Sequence, residues 1–274
     1  MARSATDGIA GLTMSERTAQ DLPEPYSGAW LRAPWPLLRE VSATLPPASW
    51  TLVGGLMVQT HAHLSGLAAT RITHDVDTVL HLETGATSFS EVHRLLVARG
   101  FMLETEHRHA YRFARGRDVV DVMAADRFVA SRAPVYRRRP LLGIPGSTRA
   151  LSRTLNITLR DANDAGVGTF SLPSLQGAFV LKGAACLVDH RDSARHVEDG
   201  ITLLACVTDA REIRAGLTRR SRRRVRALLR AVALDREPWL TQSRDTQDRA
   251  RINLGVMEAA FDVNGNDNSW VRGS

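Results

Sequence analysis

At Pro173 the text of this chain changes character, and the change points to an α+β architecture. Before it, short β-branched and aromatic runs alternate with amphipathic stretches; after it, every patterned stretch has helical spacing. Upstream, residues 30–45 place Trp30, Leu31, Trp35, Leu37, Leu38, Val41 and Leu45 at helical intervals and stop at Pro46-Pro47. A strand over 50–53 then meets Gly54-Gly55 and passes into a helix over 56–63. The pattern predicts a strand over 76–82, a helix over 90–99, and strands over 109–114 and 119–124 joined by the Arg115-Gly116-Arg117 turn. Strands over 154–159 and 168–172 flank an Asp- and Asn-rich loop at 161–165. Downstream, helices are expected over 174–188, 193–207, 210–215 and 218–234. The polar ends read as a flexible N-terminal arm over 1–25 and a flexible tail over 264–274, around an α+β unit at 26–173 and a helical unit at 174–263.

With 274 residues, 43% hydrophobic and 24% charged, the chain has ample apolar surface for a core. No apolar run approaches the roughly 20 residues of a membrane-crossing helix, and residues 1–18 lack the charged-then-apolar layout of a secretory signal. A cytoplasmic protein with no membrane partner is therefore expected. Cys186 and Cys206 lie in apolar, helix-like text and are expected as reduced core residues. The net charge of +7 favours an acidic partner such as nucleic acid or a triphosphate, weighed against a simple arginine bias of composition. Among 36 basic residues Lys182 is the only lysine. Its survival where arginine is otherwise universal marks a place that needs a compact ammonium rather than a planar guanidinium, chance being the alternative.

Asp75-Val76-Asp77 opens a strand, and alternation puts both carboxylates on one face. Close carboxylates repel unless a cation lies between them. Asp121 stands among Val119, Val120, Val122 and Met123, where a charge is costly unless paired or metal-bound. Three such carboxylates suit Mg2+, a hard ion that takes oxygen ligands. Alone, Asp-x-Asp is usually a solvated turn and Gly-Gly a plain tight turn; Gly54-Gly55 at a strand-to-helix junction, however, also fits phosphate binding at a helix start.

The run LVGGLMVQTHAHLSGLAATRITHDVDTVL resembles the opening of the polymerase-β-like nucleotidyltransferase superfamily, and within it is most similar to the AbiEii-type branch. That branch includes toxins of abortive-infection and toxin–antitoxin systems. The resemblance covers roughly residues 50 to 205 and implies a mixed sheet with flanking helices followed by a helical C-terminal domain. It implies that Gly54 and Gly55 face a nucleoside triphosphate, that Asp75 and Asp77 bind two Mg2+ ions, and that Asp121 completes the second ion site and helps activate the attacking hydroxyl. Gly55 stands where the superfamily commonly has serine, and the interval from Gly55 to Asp75 exceeds that of its most compact members.

The same resemblance assigns Lys182 to the triphosphate and matches Asp199 to a helical aspartate of the branch. Asp199 is equally readable as a surface helix partner of Arg195. His196 is a candidate for substrate positioning or a structural histidine, and Arg71 and Thr73 contact phosphate or fix their loop. From Arg219 to Arg230 seven arginines occur without an acid, and Arg219, Arg220, Arg222, Arg223, Arg224 and Arg226 are candidates for a polynucleotide backbone, against a solvated face or an acidic partner surface. By resemblance the acceptor is a tRNA 3′ end and the partner a cognate antitoxin. A small-molecule acceptor and a catalytically silent nucleotide- or RNA-binding relative are the alternatives.

Overall fold

The apolar runs become the middle of a mixed sheet. The computed structural model describes residues 19–26, 28–68, 73–189 and 193–263. In chain order it runs β1 (Ala19–Pro23), α1 (Trp35–Thr44), β2 (Trp50–Leu52), α2 (Gly54–Leu64), β3 (Asp75–Leu80), α3 (Phe89–Ala98), β4 (Met102–Leu103), β5 (Arg112–Arg115) and β6 (Asp118–Ala125). A short insertion follows: α4 (Asp126–Arg132), β7 (Val135–Tyr136), β8 (Arg139–Pro140), β9 (Gly143–Ile144) and α5 (Ser147–Ala150). The long pair β10 (Thr154–Arg160) and β11 (Gly166–Pro173) closes this half. Among the described residues the main sheet has nine strands in the order β1-β10-β11-β2-β3-β6-β5-β4, with β9 beside β6. At its centre β3 runs parallel to β6, while β2 and β5 flank them antiparallel.

Beyond Pro173 come α6 (Leu175–Val188), α7 (Ser193–Ala205), α8 (Ala210–Arg214), α9 (Arg219–Leu234), α10 (Glu237–Leu240) and α11 (Arg244–Phe261). Helix α2 joins the halves, touching β3 on one side and α6 and α7 on the other. The His61 ring, fully buried on α2, donates from Nε2 to the Pro173 carbonyl at 3.0 Å, and burial pushes its pKa down to about 4, so it stays neutral. One buried apolar cluster runs from Trp50, Val76 and Phe170 in the sheet to Leu203, Leu228 and Met257 in the helices. The change at Pro173 is thus one of secondary structure and not a break in the core. Helices α6 and α9 approach so closely that a Cβ on Gly183 would overlap the Arg224 carbonyl.

Four differences from the sequence reading have physical causes. The helix expected from residue 30 starts at Trp35, because Pro34 and Pro36 lack amide donors and are tolerated only at a first turn; Ala29–Leu31 is a separate 3-10 turn. Residues 19–23, expected within a flexible arm, form an edge strand parallel to β10 with Leu22 buried. Helix α11 was not foreseen because its buried face is only Thr246, Ala250, Met257 and Phe261, a stripe too thin to mark a polar sequence. The insertion between β6 and β10 has elements too short to carry a period. Residues 1–18 and the tail 264–274 lie outside the described residues. Among the described residues no helix is long and apolar enough to cross a membrane.

Candidate metal centre

Strand register assembles the acidic site. In the parallel β3/β6 pair Asp77 lies opposite Asp121 and Asp75 opposite Val119. Alternation along β3 turns Asp75 and Asp77 to one face, and a carboxylate oxygen from each of Asp75, Asp77 and Asp121 lies within 4.8 Å of the other two. The Thr78 hydroxyl donates to the Asp121 carbonyl at 3.1 Å and fastens the register. Thr73 donates to Asp75 Oδ1 at 2.8 Å, fixing the first carboxylate from the loop before β3. Arg112, paired with Asp121 across the β5/β6 hairpin, grips it with two bonds, Nε to Oδ1 at 2.8 Å and a terminal nitrogen to Oδ2 at 2.7 Å. Each carboxylate oxygen keeps a second lone pair, so this grip orients Asp121 without exhausting it as a ligand.

The glycine turn sits against the same acids. Val53 donates its N–H to the Asp77 carbonyl at 2.9 Å, and Gly54 opens α2 with φ of +71°. A Cβ at Gly54 would overlap the Asp77 carboxylate, so glycine is required for room as well as for conformation. Helices α3, α6, α9 and α11 begin on Ser or Thr oxygens that accept a first-turn N–H; like α1, α4, α5 and α10, α2 begins with no side-chain cap, on Val53. Its first N–H groups therefore remain for an anion.

The helical half supplies the opposite wall of a cleft of about 460 Å³. Lys182 of α6 and Asp199 of α7 form a buried ion pair, Nζ to Oδ2 2.6 Å, both side chains less than a tenth exposed. Asp199 is therefore a core residue, not a solvated one as the surface-partner reading required. His196 enters beside them, its Nε2 3.6 Å from Asp189 Oδ2, and burial together with the Lys182 charge lowers its pKa. Gly54, Gly55, Thr73, Asp75, Asp77 and Lys182 all line this cleft. Arg71 lies outside the described residues.

Burial, and then the charges of Asp75 and Asp121, push the Asp77 pKa up to about 7 against the pull of Lys182 and Arg112. Burial also raises Asp121, opposed by its bonds to Arg112. Three carboxylates crowded at the cost of ionisation are the donor set of a hard divalent cation, and the site could hold one. A raised carboxyl pKa makes the fold bind a proton more tightly than the unfolded chain. Its stabilising effect is complete below about pH 4 and is lost as pH rises towards 7. In EDTA the stability should thus fall between pH 5 and pH 8, by at most about 1.4 kcal/mol per pH unit, the one-proton limit, and the melting temperature should fall with it. A divalent cation should raise it more at pH 8 than at pH 6, because binding needs the deprotonated form.

The arginine-rich helix divides between two tasks. Its core stripe of Ser221, Val225, Leu228 and Val232 carries Arg224 inward, where its guanidinium sits 3.7 Å from Asp126 Oδ2. Arg226 Nε donates to the Phe261 carbonyl at 2.6 Å and so finishes α11. Arg222 is half-buried, which leaves Arg219, Arg220 and Arg223 exposed. Six candidate phosphate ligands are thereby reduced, since Arg224 and Arg226 serve the fold. Arg112 is a residue of this site that the sequence reading missed. It could have been found by counting outward from the Arg115-Gly116-Arg117 turn, because Arg115 faces Asp118 and hence Arg112 faces Asp121. No protein-family model matches the chain, and neither a curated protein nor a solved structure does so.

Proposed function

We propose that this protein is an Mg2+-dependent nucleotidyltransferase that moves a nucleotidyl group from a nucleoside triphosphate to a tRNA 3′ hydroxyl, as a toxin of the AbiEii type that its sequence resembles. The observation that carries this reading is that Asp75 and Asp77, with the buried Asp121 within 4.8 Å of both, line one cleft with an uncapped glycine helix start and Lys182. In that arrangement the N–H groups of Gly54 and Gly55 take triphosphate oxygens. Lys182, aimed by Asp199, adds a positive charge, and Asp75, Asp77 and Asp121 hold the divalent ions. Thr73 and Arg112 keep two of these carboxylates in place. When bound, such ions lower the pKa of an attacking hydroxyl and stabilise a pyrophosphate leaving group. Arg219, Arg220 and Arg223 offer exposed guanidiniums to an RNA backbone.

The test incubates the protein with each α-labelled nucleoside triphosphate, total tRNA and Mg2+. Label is expected in tRNA with the parent protein, and none with Asp75→Ala or in EDTA. Label in a small molecule with tRNA left unlabelled moves the acceptor to the small-molecule class. Growth arrest on expression of the parent but not of Asp75→Ala supports a toxin; arrest by both sinks the enzymatic account of it.

A further inference from the structure

A further pocket of about 650 Å³ shares, among the described residues, one wall residue with the metal cleft. That residue is Thr73, whose hydroxyl holds Asp75 at 2.8 Å. Whatever fills this pocket therefore lies next to the acidic site. Its other lining is mostly apolar and includes Tyr26, Pro34, Trp35 and His63 from the end of α2. The Trp35 and His63 rings pack on each other at 5.6 Å, and Trp30 backs Trp35 edge-on at 4.4 Å, so Trp35 is buried and the exposed Tyr26 ring is the one most open to a ligand. Burial lowers the His63 pKa, against a backbone hydrogen bond with Leu67. At the rim the exposed Arg32 places its guanidinium 5.5 Å from the centre of the Tyr26 ring. Helix α2 links the two places, opening at Gly54 against Asp77 and reaching His63 nine residues on, about 14 Å at 1.5 Å per residue.

An exposed aromatic ring with a cationic rim, beside a phosphoryl-transfer site, suits a nucleotide's planar base, its ribose and phosphate lying towards the acids. Resting on the nucleotidyltransferase reading, we infer that this pocket stacks a nucleobase of one of the two reactants. The base belongs either to the acceptor strand's 3′ end or to the incoming triphosphate, and the ring-stacking chemistry is common to both.

The experiment measures equilibrium binding in EDTA, where no transfer occurs, of the four nucleoside triphosphates and of a short single-stranded RNA with a free 3′ hydroxyl. Ribose 5-phosphate and the same RNA with abasic terminal residues serve as the baseless counterparts. The variant is Tyr26→Ala with Arg32→Gln, both side chains being exposed, so that the fold is retained. A roughly tenfold loss of affinity is expected for the base-bearing probe that uses the pocket, with no loss for its baseless counterpart. Loss confined to RNA assigns the acceptor base, and loss confined to triphosphates the incoming base. Equal affinity of parent and variant for both probes, no preference for base-bearing over baseless probes, or no binding of either class overturns the inference. Asp75→Ala should leave base binding intact. Base binding without transfer in any assay thus refutes the catalytic reading alone, and transfer by a variant with unchanged affinities refutes the pocket alone.

Discussion

Asp77→Asn should cost the protein its transfer activity while raising the melting temperature of the metal-free form at pH 8. The two effects share one cause. Asp77 is crowded by Asp75 and Asp121 and by burial, so its ionisation is resisted up to about pH 7. The isosteric amide removes the repulsion, still fits against Gly54, and leaves the β3 backbone unchanged. A gain of about 1 kcal/mol corresponds to a rise of about 2–4 °C in a chain of this size class. The same change deletes a hard anionic ligand, and a loss on the order of 4 kcal/mol of transition-state stabilisation is a thousandfold in rate. Thermal melts in EDTA and a labelled-triphosphate assay read the two together. A variant that keeps activity, or that melts lower without metal, contradicts the account of this residue.

Gly183→Ala should destabilise the fold by about 3 kcal/mol, lowering the melting temperature by about 6–12 °C. The added methyl would meet the backbone carbonyl of Arg224, and no rotamer change relieves a backbone contact. Helices α6 and α9 must then separate, and Val225, Leu228 and Leu229, all fully buried, lose packing on the α9 side. Because Lys182 precedes Gly183 on α6, the ion pair with Asp199 shifts as well. Gly255 offers a control of opposite sign. It lies within α11 with open space around it, so Gly255→Ala should stabilise by about 0.5–1 kcal/mol through helix propensity alone. Two glycine-to-alanine changes on helices thus move in opposite directions, and calorimetry of both variants checks it.

The local pattern was legible wherever an apolar period met clear punctuation. The β5/β6 hairpin could be read because Gly116 marks its turn, and α6 because Ser174 caps it and Asp189 follows it. The convergence of Asp75 with Asp77 follows from alternation, which a sequence displays directly. Their convergence with Asp121 does not. It depends on β3 and β6 being parallel neighbours in a particular register, although α3, β4 and β5 lie between them in the chain. The burial of Arg224 was hidden for a related reason: charge composition dominated a helix whose inward face only the position of α6 defines. Asp199 lay between surface and site in the sequence because helical spacing offered Arg195 as a partner; only the packing of α7 on α6 brings it to Lys182.

The central claim is that Asp75, Asp77 and Asp121 form one divalent-cation site serving a bound triphosphate. Calorimetric titration with Mn2+, with and without a non-hydrolysable nucleoside triphosphate, tests it most directly. The account predicts Mn2+ binding that strengthens from pH 6 to pH 8, tightens when the triphosphate is present, and disappears in Asp77→Asn and Asp75→Ala. Mn2+ binding of equal strength in the parent and both variants, or none in the parent at pH 8 with triphosphate, would contradict it.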